Sequence, residues 1–176
     1  MPHDFGLIRL ATCDDAQAIT QVHISSWQTT YWGIGIDEYI DNQSVDRRVE
    51  YWRNTLCNSQ SQTFVYVAVV DGQVVGFAAG GPERSNDPEY KGELYALYLL
   101  KAYQRQGLGQ KLVGAVMDHL LHSGIASMLI WVLAVNSARF FYERCGGQVV
   151  RWKDLNWGGK TFEELGYGWL DLRLPQ

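Results

Sequence analysis

Hydrophobic residues recur at two different spacings along the chain, and these spacings separate predicted helices from predicted strands. A short strand at 7–11 precedes a stretch in which apolar side chains are spaced by three and four residues, as on one face of a helix. The residues on that face are Ala16, Ile19, Val22, His23 and Trp27. A second helix is predicted to begin near Ser44, so two helices precede most of the strands.

Two apolar runs, at 63–70 and 73–80, are separated only by Asp71 and Gly72, which is a strong signal for a β-hairpin. The elements predicted after it are a strand at 93–100, a helix at 108–122, a strand at 127–134, a short helix at 138–145, strands at 148–153 and 166–172, and a turn at 155–160. This order predicts an α/β (α+β) fold in which a mixed sheet carries helices on both faces.

Composition narrows the class of protein. The chain has 176 residues, of which 47% are hydrophobic and 19% charged, as expected for a single globular domain over residues 1–176. The formal net charge of −4 argues against a general nucleic-acid-binding protein, which needs a surplus of basic side chains. No apolar run approaches the ~20 residues of a membrane helix, so no membrane partner is predicted.

The cysteines and the start of the chain suggest a compartment. Cys13, Cys57 and Cys145 are an odd number of cysteines without the spacing of a metal site, which predicts reduced thiols. No charged-then-apolar leader follows Met1. Together these features predict a cytoplasmic protein without a bound metal.

The stretch from the strand at 93–100 to the helix at 108–122 is the strongest candidate for a ligand site. It contains the turn Gln104-Arg105-Gln106-Gly107-Leu108-Gly109. A glycine-containing turn at a helix start exposes backbone N–H groups beside the positive end of the helix dipole, which favours a phosphate. The turn is not a P-loop, because Gln110-Lys111-Leu112 follows instead of a Lys-Ser/Thr pair, and it lacks the third glycine of a dinucleotide fingerprint. An ordinary strand-to-helix turn stays open as the alternative.

Two motifs stand in a defined order around this turn. The first is Leu97-Tyr98-Leu99 followed by Tyr103-Gln104-Arg105-Gln106-Gly107-Leu108-Gly109, and the second runs from Asn136 to Gly147 with Tyr142-Glu143 in a short helix. Both resemble motifs of the GNAT superfamily, the acyl-CoA-dependent N-acyltransferases, and the order of elements matches along nearly the whole chain. The resemblance implies the GNAT fold, a central, mostly antiparallel mixed sheet of about six to seven strands with helices on both faces. It also implies acetyl-CoA as the cosubstrate and no metal.

The resemblance assigns the coenzyme to the turn and to the strand before it. Backbone amides of the turn are expected to bind the pyrophosphate, and a strand that diverges from its neighbour is expected to bond the pantetheine. The implied coenzyme-binding residues are Leu97, Tyr98, Leu99, Arg105, Gln106, Gly107, Leu108, Gly109, Gln110 and Asn136. The amide of Leu99 would polarise the thioester carbonyl. Asn136 precedes Tyr142 by six residues, where much of the family has seven, so a helix N-cap stays open as its role.

The resemblance also assigns the proton transfers. Tyr142 is the expected general acid, because a phenol with a pKa near ~10 is neutral and can donate a proton to the departing thiolate. Glu93 is the expected general base, acting through water, with Glu83 and His23 as alternatives. A core tyrosine and a solvated strand-end carboxylate are the plain structural interpretations of Tyr142 and Glu93. Because no Cys–His pair suits a nucleophile, direct attack by the amine in a ternary complex is expected.

Aromatic residues are expected to form the acceptor site, although each also suits a buried position in the core. The predicted acceptor-site residues are Tyr31, Trp32, Tyr95, Trp157 and Tyr167. The pattern Trp27-x-x-x-Tyr31-x-Gly33 resembles a bacterial subgroup whose acceptors are uncharacterised.

The predicted function is transfer of an acetyl group from acetyl-CoA to a primary amine of a small molecule. A peptide N-terminus or a lysine is the alternative acceptor. Two other classes stay open: an acyl-CoA-binding sensor without turnover, and a structural protein on the same scaffold. Dimers are frequent in the superfamily, so the resemblance also implies a homodimer as one state of the protein.

Overall fold

The computed structural model describes residues 6–42 and 44–174. Within these residues the strands are β1 (Leu7–Leu10), β2 (Phe64–Val70), β3 (Gln73–Pro82), β4 (Gly92–Leu99), β5 (Met128–Leu133), β6 (Gln148–Trp157) and β7 (Lys160–Trp169). The α-helices are α1 (Ala16–Tyr31), α2 (Asp37–Asp41), α3 (Val45–Cys57), α4 (Leu108–His122) and α5 (Arg139–Arg144). Short 3-10 turns at Cys13–Asp15 and Lys101–Tyr103 precede α1 and α4.

The strands of the described residues form one sheet in the order β1-β2-β3-β4-β5-β7-β6. Every neighbouring pair is antiparallel except β4 and β5. These two strands are parallel, and they pair only at Gly92 with Met128 and at Glu93 with Leu129. Beyond that point they diverge and leave a gap in the middle of the sheet. The predicted mixed, mostly antiparallel sheet is confirmed.

Helices cover both faces of the sheet, as predicted. On one face Leu112, Val116 and Leu120 of α4 are fully buried, and their spacing of four residues places them on one side of the helix. On the other face Ile19 of α1 and Trp52 of α3 pack against the inner side chains of β2 and β3. We call these two sides the α4–α5 face and the α1–α3 face.

The last two strands are longer than the hydrophobic pattern predicts. β6 continues to Trp157 and β7 begins at Lys160, so the predicted turn at 155–160 shrinks to Gly158 and Gly159. Both glycines have a positive φ, +57° and +79°, as a two-residue turn with the twist of its strands requires. The outer half of this hairpin is largely exposed, so its sequence lacks the apolar alternation by which strands are recognised. β7 also ends at Trp169, short of the predicted 172.

The prediction of three reduced thiols is wrong for two of them. Cys13, just before α1, and Cys57, at the end of α3, form a disulfide with their Cα atoms 5.3 Å apart. Cys145 is free and buried. Spacing along the chain does not reveal such a pair, because it forms only when α3 packs beside α1 with its end next to the start of α1.

The disulfide makes a direct prediction about thiol reactivity. Protein purified without reductant and then denatured should take up one alkyl group, on Cys145, and three after reduction. Intact-mass spectrometry measures both numbers. Uptake of three alkyl groups before reduction would contradict the Cys13–Cys57 pairing.

Candidate functional site

The gap between β4 and β5 exposes one edge of β4. Leu100 donates its N–H to Val75 of β3 at 2.9 Å. Because neighbouring residues of a strand direct their amides to opposite sides, the N–H groups of Leu97 and Leu99 point away from β3 and into the gap. The carbonyl of Leu99 shares this direction and accepts a hydrogen bond from Gln104 Nε2 at 3.1 Å, outside the sheet. Two backbone donors, two residues apart along β4, therefore line the gap.

The backbone of Tyr98 differs from that of its neighbours. It pairs with Phe77 of β3, so its amide does not face the gap. Its side chain lies on the α1–α3 face, where the hydroxyl accepts a hydrogen bond from Trp27 Nε1 at 2.8 Å and the ring stacks on His23 with centroids 4.7 Å apart. The predicted set Leu97, Tyr98 and Leu99 thus divides into two residues that offer amides and one that offers a side chain.

The predicted glycine turn ends at the start of α4. Gly107 has the left-handed φ of +83° that favours glycine, and the first helical hydrogen bond runs from Lys111 N to Gly107 O at 3.1 Å. The amides of Leu108, Gly109 and Gln110 precede that bond, so they have no partner within the helix. They lie at the positive end of the helix dipole, as the anion-site prediction requires.

A cavity of about 430 Å³ lies beside this turn. It is lined by Arg105, Ser137, Phe140, Glu143 and Arg144. Arg105 comes from the turn itself and the others from α5 and the residue pair before it, so the two motifs of the sequence meet here. A Cβ on Gly109 would lie 3.3 Å from the Phe141 ring, which shows how closely α4 approaches α5.

A chain of polar side chains connects α1 with the end of β5. Asn136 Nδ2 donates to the Tyr31 hydroxyl at 3.2 Å, and Tyr31 interacts electrostatically with Tyr98. Asn136 Oδ1 accepts from the amide of Ala138 at 2.9 Å, just ahead of α5. Both ends of the Asn136 amide are therefore engaged within the protein. The N-cap of α5 is Ala138, so Asn136 is not the helix cap that the sequence left open; it stabilises the turn just before the helix.

Tyr142 lies on α5 with 4% of its surface exposed. Burial, together with nearby Tyr31 and Cys145, raises the pKa of its phenol above the ordinary value. The hydroxyl consequently stays protonated at neutral pH and is able to act as a donor. Its ring packs edge-on against Phe141 with centroids 5.3 Å apart, so its orientation is restricted.

Glu93 is buried on the α1–α3 face at the point where β4 and β5 separate. Arg84 holds its carboxylate through Nη2 at 2.5 Å, Nε at 3.2 Å and its own backbone N–H at 3.1 Å. The guanidinium also lies 4.0 Å above the Tyr95 ring. Tyr95 donates to Pro82 O at 2.5 Å, and burial raises its pKa to about 12. Glu93 is thus an anchored carboxylate within reach of the gap.

The two alternatives to Glu93 lie in other surroundings. Glu83 accepts hydrogen bonds from the amides of Ser85 and Asp87 and stabilises the loop after β3. His23 is buried, and burial followed by the charge of Arg48 lowers its pKa to about 3. Its imidazole is therefore neutral and packed among aromatic rings.

A second cavity, of about 520 Å³, lies on the α1–α3 face. Its walls come from α1, α3 and the facing strands β3 and β4, and include His23, Trp27, Arg48, Tyr51 and Tyr95. We call it the α1–α3 pocket. It borders β4 at Ala96 and Tyr98, beside the residues whose amides enter the gap.

Similarity to known proteins agrees with this geometry. The model of the acetyltransferase (GNAT) family matches residues 21–147. An uncharacterised N-acetyltransferase, YuaI, from Bacillus subtilis is 37% identical over 166 residues, which are 94% of this chain and 93% of that protein. The chain belongs to the GNAT acetyltransferase family.

Two further relatives extend the comparison. A spermidine N(1)-acetyltransferase from Thermoplasma acidophilum is 28% identical over 146 residues, 81% of this chain and 88% of that one. The crystal structure of the PaiA N-acetyltransferase from Thermoplasma acidophilum in complex with coenzyme A superposes with a TM-score of 0.71 at 24% identity, covering 91% of this chain and 97% of that chain. The predictions of a GNAT fold and of an N-acetyltransferase are confirmed at the level of the family.

The aromatic residues predicted for the acceptor site of this GNAT protein are only partly brought together. Trp157, at the tip of the β6–β7 hairpin, packs against Trp27 and Tyr31 with centroids 5.2 and 5.1 Å apart. Trp32 follows α1 and is 57% exposed. Tyr167 lies apart from them: it is fully buried on the α4–α5 face and donates to Glu143 Oε1 at 2.7 Å.

Sequence reasoning missed Glu164 of β7. Burial raises the pKa of this carboxyl, against the opposing charge of Lys153 at 3.6 Å, and it interacts electrostatically with Glu93 and Tyr31. It pairs with Leu133 at the end of β5, beside the gap. The predicted strand began at 166, so the prediction assigned Glu164 to neither face of the sheet. Side chains alternate along a strand, so a strand extended to Glu164 would have placed it on the face opposite Tyr167.

Neither a metal-binding cluster nor a membrane-spanning helix is found among the described residues. No group of three or more His, Cys, Asp or Glu side chains in 6–42 and 44–174 is arranged to hold a metal ion. In the same part of the chain, no helix has the length and apolar character needed to cross a membrane.

The buried His23 predicts a pH dependence of stability. Its pKa is about 3 in the folded protein and 6.5 ordinarily, so between these values the unfolded chain binds the extra proton and stability falls as the pH falls. The slope from this residue approaches at most about 1.4 kcal/mol per pH unit. Urea unfolding of the wild type and His23→Gln from pH 7 to pH 4 should show a shallower decline for the variant. Parallel declines would contradict a neutral buried His23.

Proposed function

We propose that the protein transfers an acetyl group from acetyl-CoA to the primary amine of a small molecule, by direct attack in a ternary complex. One observation carries this proposal: the outward amides of Leu97 and Leu99 line a gap that leads to the unpartnered amides at the start of α4. Such a row of donors suits a ligand with amide groups at one end and phosphates at the other.

The coenzyme-binding residues have separate tasks in this proposal. Gly107, with Arg105 and Gln106, shapes the turn, and the amides of Leu108, Gly109 and Gln110 bind the pyrophosphate. Leu97 and Leu99 bond the pantetheine as an added strand would. The Leu99 amide is aimed at the thioester oxygen, where one preorganised donor is worth roughly 3–4 kcal/mol in the transition state.

The proton transfers belong to Tyr142 and Glu93. The amine lone pair forms the new C–N bond to the carbonyl carbon as the C–S bond breaks. Tyr142, kept protonated by burial, donates to the departing sulfur. Before the attack, Glu93 accepts one proton of the substrate ammonium through water, which frees the lone pair, while Arg84 holds the carboxylate in place. The second proton leaves the nitrogen as the amide forms and restores the Tyr142 hydroxyl.

The α1–α3 pocket is the proposed acceptor site. Tyr95 lines it, and Tyr31 and Trp157 pack against Trp27 in its wall. Trp32 follows Tyr31 along the chain and does not line the pocket. Its volume of about 520 Å³ is that of a small-molecule site, which favours a small amine over a peptide. The Thermoplasma relative is named a spermidine N(1)-acetyltransferase, which supports a small amine as the acceptor. A cytoplasmic location belongs to the proposal, and the Cys13–Cys57 disulfide is the observation that weighs against it.

An amine panel tests this function. Release of free CoA thiol is followed with small primary amines, polyamines, amino acids and a peptide with a free N-terminus. Tyr142→Phe should lower kcat by about a hundredfold or more while the KM for acetyl-CoA stays near the wild-type value. Tyr66→Phe, on the distant β2, is the matched control and should retain activity.

Each outcome of the panel is informative. Turnover restricted to the peptide would replace the small-molecule acceptor with a peptide. Coenzyme binding without CoA release from any acceptor would indicate a sensor. A wild-type rate for Tyr142→Phe would remove Tyr142 as the general acid.

A further inference from the structure

Glu164 of β7 lies level with the backbone amides that enter the gap. β4 and β5 are in register at Glu93 and Leu129, before they diverge. Leu97 and Leu133 follow these two residues by four positions, so they lie at one level on the two sides of the gap. Glu164 pairs with Leu133 from the other side of β5. It is therefore one strand away from the gap, and neighbouring strands are about 4.8 Å apart, a distance that a glutamate side chain spans.

The register also fixes the face of the sheet on which Glu164 lies. Glu93, Leu129 and Gly168 are paired across β4, β5 and β7, and paired residues share a face. Glu164 is four residues from Gly168 along β7, and side chains alternate between the faces, so it lies on the same face as Glu93. This is the α1–α3 face, which carries the α1–α3 pocket.

Lys153 shows the direction in which the Glu164 carboxylate points. It comes from β6 and is the register partner of Glu164. Its Nζ lies 3.8 Å from the centre of the Trp131 ring on β5, so the lysine side chain crosses β7 towards the gap. Glu164 Oε2 lies 3.6 Å from that Nζ. The carboxylate is thus directed towards β5 and the gap, and it already lies beside an ammonium group.

Tyr31 connects Glu164 with the residues of the proposed reaction. Its hydroxyl accepts a hydrogen bond from Asn136 at 3.2 Å, and its ring packs against Trp157 with centroids 5.1 Å apart. It interacts electrostatically with Glu164 and with Tyr142, the proposed general acid. Glu164 and Tyr142 therefore lie close to one phenol, which places the carboxylate near the reacting centre.

The Glu164 carboxylate is bound less tightly than that of Glu93. Arg84 bonds Glu93 through three donors, whereas the contact of Glu164 with Lys153 is longer, at 3.6 Å, and the lysine side chain is 45% exposed. Because a carboxylate has about four lone-pair sites, Glu164 is able to bind a second ammonium beside Lys153. Burial raises the pKa of the Glu164 carboxyl, and a further cation would stabilise its charged form.

We propose that Glu164 binds the ammonium group of the acceptor amine from the β5 side of the gap and thereby sets the position of its nitrogen. The inference rests on the proposed function for the presence of an amine acceptor. The two carboxylates then have separate tasks, because Glu164 contributes to the affinity for the amine and Glu93 to its turnover. A neutral acceptor, such as an alcohol, gains no comparable contact, so Glu164 selects for amines.

Calorimetric titration of the protein saturated with CoA measures this contact without turnover. The probes are phenethylamine and hexylamine, each compared with its neutral counterpart, 2-phenylethanol and hexan-1-ol. In the wild type, each amine should bind roughly tenfold to a hundredfold more tightly than its alcohol, as expected for a charge-assisted hydrogen bond.

Two variants with opposite expected effects locate the contact. Glu164→Gln should bring the ratio of amine to alcohol affinity close to one and leave the affinity for the alcohol unchanged. Lys153→Gln removes the competing cation and should raise the affinity for the amine by roughly twofold to fivefold. A disturbed hairpin would lower the affinity in both variants, and Lys153→Gln decides the matter if Glu164→Gln fails to fold.

Glu163→Gln is the matched control. Glu163 is the exposed neighbour of Glu164 on the other face of β7, and the substitution changes the charge by the same amount. This variant should keep the wild-type ratio of amine to alcohol affinity.

Kinetics separate the two carboxylates for any amine that is turned over in the CoA-release assay. Glu164→Gln should raise the KM for the amine by roughly tenfold to a hundredfold, with the KM for acetyl-CoA unchanged and kcat little affected. Glu93→Gln should instead lower kcat by about a hundredfold.

The outcomes distinguish this inference from the proposed function. Equal binding of amine and alcohol, no binding of either amine, an unchanged ratio in Glu164→Gln, or a weaker affinity for the amine in Lys153→Gln would overturn it. Acetylation of amines by Glu164→Gln with a wild-type KM would overturn it and leave the proposed function standing. Loss of the ratio in Glu164→Gln, without CoA release by the wild type, would support it and refute the proposed function.

Discussion

The early separation of β4 from β5 is the constraint on which the rest of the molecule depends. A sheet normally satisfies its backbone donors through the neighbouring strand, and an edge inside the sheet leaves them unpaired. Here parallel pairing ends at Glu93, so the amides at Leu97 and Leu99 have no strand partner on that side. A ligand that supplies carbonyl groups would complete the ladder, which explains why a gap can persist between two otherwise buried strands.

The gap also lies between two cavities, one on each face of the sheet. On the α4–α5 face, the glycine turn and α5 meet around a cavity next to the start of α4. On the α1–α3 face, arginine and aromatic side chains surround a separate pocket. The bond from Asn136 to Tyr31 links α1 across the gap to the loop after β5. In the proposed function, coenzyme and acceptor approach one reacting centre from opposite faces of the sheet.

Features that depend on adjacent residues were predictable from the sequence. The strand, turn and helix around Gly107 form one continuous segment, and the left-handed φ of Gly107 is what that position demands. The hairpin at Asp71-Gly72 and the helical face of α1 are equally local. For these elements, the spacing of apolar residues and the residue types in the turns are sufficient to predict the structure.

Features that depend on tertiary packing were not predictable in the same way. Tyr167 lies in the core of the α4–α5 face because of the register of β7, which a strand predicted to begin at 166 does not define. The same shortened strand concealed Glu164. The Cys13–Cys57 pair and the clustering of Arg47 and Arg48 with Arg84 require the packing of α3 against α1 and β3.

Backbone amide hydrogen exchange, read by NMR with and without saturating CoA, tests the central role of the gap most directly. The amides of Tyr98 and Leu100 are already paired with β3, whereas those of Leu97 and Leu99 face the gap. If the coenzyme completes the ladder, exchange at Leu97 and Leu99 slows by a much larger factor than exchange at Tyr98 and Leu100. Equal slowing at all four positions, or none at Leu97 and Leu99, would contradict the account.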